Sequence, residues 1–127
     1  MDSRHDPSVS GLYHAISFQI AGIAVALLAN SANFALILFA DTNGHEIALC
    51  VPIIATALFT CVWGDATLQS QVANIKDAAV ETKNSHAYKF ISAQPYNLLR
   101  LMNLVLAVAL AASQLLILFG GYFIKVN

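Results

Sequence analysis

Charge is the scarcest property of this sequence. Six Lys and Arg and seven Asp and Glu make only 10% of its 127 residues charged, where soluble domains carry roughly 25%. The net charge is −1 with no Lys or Arg cluster, so the basic patch that nucleic acid demands is missing. Paired carboxylates within helical reach, a glycine-rich phosphate loop and a nucleophile elbow are missing as well, and no enzyme is expected. The two cysteines, Cys50 and Cys61, fall eleven residues apart on one expected helix, about 16 Å at 1.5 Å per residue. They cannot bridge each other and read as small hydrophobes.

Histidine is sparse too. Asp41, His45 and Glu46 share one short loop and His86 stands far from them, with no His-x3-His or Cys-x2-Cys spacing, so no metal is expected. The "DTNG" at 41–44 begins like a calcium loop but lacks the later ligands. His14 finds no second His at a matching depth for a haem, and no cofactor is called for.

Hydrocarbon is what the chain has in abundance: 58% of it is hydrophobic. The apolar residues collect in runs at about 16–40, 47–64 and 98–124, each long enough for a core of about 30 Å, which takes about 17 to 25 helical residues. The expectation is an all-α integral membrane fold over residues 1–127, one domain with three transmembrane helices. The first run is too long for a signal peptide, and "MDSRHDPSVSG" lacks a basic n-region, so the helix is expected to be retained.

Local signals set the boundaries. Pro7 after Asp6, with Ser8 and Ser10 next, suits a helix start. Asn43 and Gly44 form a strong turn dipeptide, and so short a loop returns helix 2 antiparallel to helix 1. Pro52 is expected to kink helix 2 locally. Nothing after Trp63, Gly64 and Asp65 stops that helix, and 65–84 is rich in helix formers, so a projection of about 20 residues into water follows. Its stripe of Leu68, Val72, Ile75 and Ala79 either packs on Val9, Leu12 and Tyr13 or docks a partner or another copy. Pro95 suits the first turn of helix 3.

Orientation follows from the cations. Arg4, Lys76, Lys83, Lys89 and Arg100 fall on one side, the 41–46 loop has no Lys or Arg, and Lys125 lies opposite. The N-terminus and the 65–96 segment are therefore expected in the cytoplasm and the C-terminus outside. Trp63 and Tyr96 serve as inner interface anchors and Tyr122 as an outer one. Arg100 is expected to snorkel to headgroups, with pairing to Asp65 as the alternative.

Small and neutral polar residues recur at helical spacing within the runs. Helix 1 carries Gln19, Gly22, Ala26, Asn30 and Asn33; helix 2 carries Pro52, Thr56, Thr60 and Gly64; helix 3 carries Arg100, Asn103, Ala107, Ala111 and Gln114, with Ser113 beside it. One reading makes these stripes the faces where helices meet. The other has a stripe surviving to line a pore between copies. No ionisable residue lies deep in the runs, which disfavours proton relays and ion-coupled transport. Two functions follow: a self-associating protein forming a homo-oligomeric channel or pore, or a non-catalytic accessory subunit of a larger membrane complex. Lipids and further copies or subunits are the expected partners.

Overall fold

The computed structural model describes the backbone of residues 6–124 and the side chains of residues 6–120. Helices α1 (Pro7–Phe39), α2 (Glu46–Asp77), α3 (Val80–Lys83), α4 (His86–Ser92) and α5 (Tyr96–Ile124) follow in order, with no strand among the described residues. Three of them, α1, α2 and α5, are long and apolar enough to cross a membrane. The 33 residues of α1 and 32 of α2 each measure about 50 Å at 1.5 Å per residue. That exceeds a hydrocarbon core by about 20 Å. α2 lies in the middle, packed along α1 on one side and α5 on the other, while α1 and α5 touch sparingly.

Local signals account for the start of α1 and for the turn into α2. Asp6 is the N-cap of α1, its carboxylate accepting from the Ser8 N–H at 3.0 Å, with Pro7 in the first turn. After α1, the Asp41 carboxylate accepts from the Asn43 N–H at 3.2 Å and its side-chain amide at 2.7 Å. Gly44 then turns the chain at φ +80°, a conformation that glycine adopts without a Cβ clash. α2 continues unbroken past Pro52.

The expected projection is corrected by the structure. α2 does not run to about residue 84; it ends at Asp77, and Ala78 and Ala79 take extended conformations at ψ 142° and 156°. Ala79 therefore leaves the helical stripe, and its N–H donates instead to the Asp6 carboxylate at 2.8 Å. The stripe is also rotated. Thr67, Leu68 and Gln71 are buried, whereas Val72 and Ile75 are half-buried. On α1, Leu12 and Ala15 are buried, and Val9 and Tyr13 remain exposed.

Beyond the break the chain folds back on α2. Ser85 caps α4 by accepting the Tyr88 N–H at 3.3 Å, and the Tyr88 hydroxyl donates to the Ile75 carbonyl. We call this end, with Asp6, α3 and α4, the crown, and the opposite one the loop end.

Candidate functional site

Polar side chains join the long helices in successive tiers. Toward the loop end, Asn33 of α1 donates through Nδ2 to the Thr56 hydroxyl of α2 over a long 3.4 Å, and that hydroxyl donates to the Pro52 carbonyl at 2.7 Å. Gln114 of α5 donates through Nε2 to Asn30 Oδ1 at 2.6 Å, and Asn30 donates to its own helix at the Ala26 carbonyl, 2.8 Å away. Gln114 is 1% exposed and Asn33 7%. Gln114 Oε1 is buried without a hydrogen-bond partner among the described residues. Ser113 does not join them; its hydroxyl donates to the Ala109 carbonyl of its own helix at 2.5 Å.

The next tier crownward fixes α2 against both neighbours. Asn103 donates to the Thr60 carbonyl at 3.0 Å, and Thr60 donates to the Thr56 carbonyl at 2.8 Å. The Asn103 amide approaches so closely that a Cβ on Gly64 would lie 2.5 Å from it. Asp65 takes the Arg100 Nε and, at 3.2 Å, its Nη2. Both partners of this pair are more than a third exposed, so it contributes little stability of its own. Arg100 thus takes the pairing alternative named above. Trp63, expected as an interface anchor, also crosses to α1: its Nε1 donates to the Phe18 carbonyl at 2.8 Å, and its ring stacks on Phe59 at 5.5 Å between centroids. The Tyr96 hydroxyl donates to the Ile91 carbonyl at 3.1 Å. The side chain of Tyr122 lies outside the described residues.

In the crown tier only Gln19 belongs to the polar stripes marked by the sequence. Gln71 donates to Gln19 at 2.5 Å across α1 and α2. Buried Asp6 accepts from the Ser8 hydroxyl at 2.7 Å, the Thr82 hydroxyl at 2.7 Å and the Ala79 N–H, besides the Ser8 N–H. These bonds, from the Ser8 and Thr82 hydroxyls first, hold its carboxyl well below the usual carboxylate range. Burial, and then the nearby Asp6 charge, push the Tyr88 hydroxyl up. An Asp before a Pro signals a helix cap, but nothing in sequence points 73 residues ahead to Ala79.

An open groove faces out between α2 and α5. It encloses about 600 Å³ beside Cys61, Val62, Asp65, Arg100, Leu101 and Leu104. Crownward it adjoins a cavity of about 580 Å³ whose walls include Lys76, Asp77, Asn97 and Arg100.

No family model, curated protein or solved structure matches this chain. Its class therefore rests on the fold and contacts alone: an all-helical protein with three helices suited to crossing a membrane, joined by polar side chains.

Proposed function

We propose that the chain is a non-catalytic, multi-pass membrane protein acting as a structural or accessory subunit, with the crown in the cytoplasm. The observation that carries this reading is the closure of the amides on one another: Asn33 and Gln114 are buried, and Asn30, Thr56 and Asn103 bond within the chain. Side chains committed in this way are withdrawn from the lining of a pore between copies. The surface left around the long helices is apolar, with Leu28, Val51, Val62, Leu106 and Leu116 all exposed, as lipid or an apolar neighbour requires. Lys76, Lys83, Lys89 and Arg100 at the crown, against no Lys or Arg in the 41–46 loop, support the cytoplasmic placement.

A specific feature favours self-association as the second reading. The face of α1 turned away from α2 presents Ser17, Ala21, Ala24, Ser31 and Ala35, all exposed and in line with each other, with Leu28 standing between Ala24 and Ser31. Small residues at this spacing let helix backbones approach closely in lipid.

The test is the full chain expressed alone and reconstituted. In liposomes it is expected to be electrically silent, and in nanodiscs its mass reports whether copies associate. Conductance that disappears in Asn30→Leu with Asn33→Leu would restore the amide-lined pore and sink the structural reading.

A further inference from the structure

We infer that the groove between α2 and α5 binds one phospholipid with a zwitterionic, primary-ammonium headgroup, a phosphatidylethanolamine. The inference rests on the membrane placement proposed above, and it begins from how polarity changes along the groove. The end toward mid-length is walled by Val62, Leu101 and Leu104, which suits an acyl chain; the crown end carries Lys76, Asp77, Asn97 and Arg100, which suits a headgroup. A free phosphate would use only the second half.

The charges choose the headgroup. Lys76 of α2 and Arg100 of α5 line the same cavity, whose lower wall is the Arg100 guanidinium held on Asp65. Arg100 spends Nε and Nη2 on Asp65, and among the described residues nothing bonds to its Nη1. The first turn of α5, where Asn97 stands, adds the positive end of a helix dipole. These groups take the phosphodiester. Asp65 is engaged by Arg100 and by Gln69, whereas the Asp77 carboxylate, on the wall of the same cavity, has no side-chain partner among the described residues. It takes the ammonium, whose N–H groups donate to it as a choline cannot. With Lys76 and Arg100 set against Asp65 and Asp77, the site is neutral overall, which disfavours an anionic headgroup.

The experiment places the full chain in nanodiscs of equal phosphatidylethanolamine, phosphatidylcholine and phosphatidylglycerol and reads retained lipid by native mass spectrometry. One phosphatidylethanolamine per chain is expected, preferred about tenfold or more over the other two, as loss of a charge-assisted contact implies. Lys76→Gln with Asp77→Asn, both exposed positions, is expected to abolish the preference while circular dichroism stays unchanged. Retention in proportion to bilayer composition, preference for phosphatidylglycerol, or a preference unmoved by the double substitution would each overturn the site. Membrane placement is read separately by resistance to alkaline carbonate extraction: a chain that washes off overturns the placement, and one that stays without selecting a lipid overturns the site alone.

Discussion

Replacing Asn30 with Leu is expected to cost more than replacing Gln114 with Met, although the two residues share a single hydrogen bond of 2.6 Å. The asymmetry comes from burial. Gln114 is 1% exposed and already carries an Oε1 without a partner among the described residues. Asn30→Leu removes the partner of Nε2 as well and strands the whole carboxamide, a loss of about 2 to 3 kcal/mol. Gln114→Met gives up one bond, worth about 1 kcal/mol, but removes the stranded oxygen and keeps the volume, so the net change should stay within about 1 kcal/mol. Asn30 then retains its bond to the Ala26 carbonyl. In the double variant no amide is stranded, and its stability should lie within about 1 kcal/mol of the parent, a coupling of about −2 kcal/mol. Unfolding in bicelles by SDS or heat, followed by the fluorescence of Trp63, the single Trp of the chain, reads all three variants. Equal losses in the single variants, or an additive double variant, would refute the assignment of Gln114 as the member that depends on the pair.

Asp6 gives a pH dependence whose sign is fixed. Its carboxyl is held below the usual range, so its stabilisation of the crown is complete above the unfolded value of about 3.9 and is lost as pH falls through the depressed native value. The protection factor of the Ala79 amide should therefore be constant at neutral pH, fall progressively as pH drops below about 4, and be low and flat in Asp6→Asn; a parent profile that stays flat through that acid range would contradict the clasp. Gly64→Ala places a Cβ 2.5 Å from the Asn103 amide and should cost about 1 to 3 kcal/mol by the same unfolding assay, with most of it recovered by Asn103→Ala. Trp63→Phe keeps a ring against Phe59 but loses the bond to the Phe18 carbonyl; a loss of about 0.5 to 1.5 kcal/mol is expected by circular dichroism, and no loss would place the indole N–H outside the fold's stability.

The helices and their facing stripes were legible because both obey local rules. Apolar runs of membrane length mark α1, α2 and α5, and Gly22, Ala26 and Asn33 recur at the helical period that places them on the buried face. Long-range capture was not legible. The break at Ala78 and Ala79 has no Gly or Pro to announce it; the chain opens there because Asp6 accepts the Ala79 N–H and the Thr82 hydroxyl, a partnership between residues 73 and 76 positions apart. Composition misled at Gln71, which is polar and was set outside the docking stripe, yet is buried because Gln19 meets it. Ser113 and Gln114 are neighbours with the same claim to the cluster by sequence, and only their angular positions on α5, toward its own carbonyls or toward α1, separate them.

The distribution of these contacts explains why polar residues are spent between helices at all. If the helices lie in lipid as proposed, apolar side chains gain nothing by leaving it for one another, and packing and hydrogen bonds must hold the bundle. Apolar faces alone would also leave the helices free to slide, since one Leu packs on hydrocarbon much like the next. Here every pair of long helices has a directional tie: α1 to α2 through Asn33 and Thr56 and through Gln19 and Gln71, α2 to α5 through Thr60 and Asn103, and α1 to α5 through Asn30 and Gln114. Ties on all three sides of the triangle resist translation, because a shift of one helical turn, about 5.4 Å, exceeds the reach of any hydrogen bond and would break the contacts of the moving helix with both of its neighbours. The register of the bundle is therefore set by a few amides and hydroxyls, and the apolar remainder is left to meet whatever surrounds it.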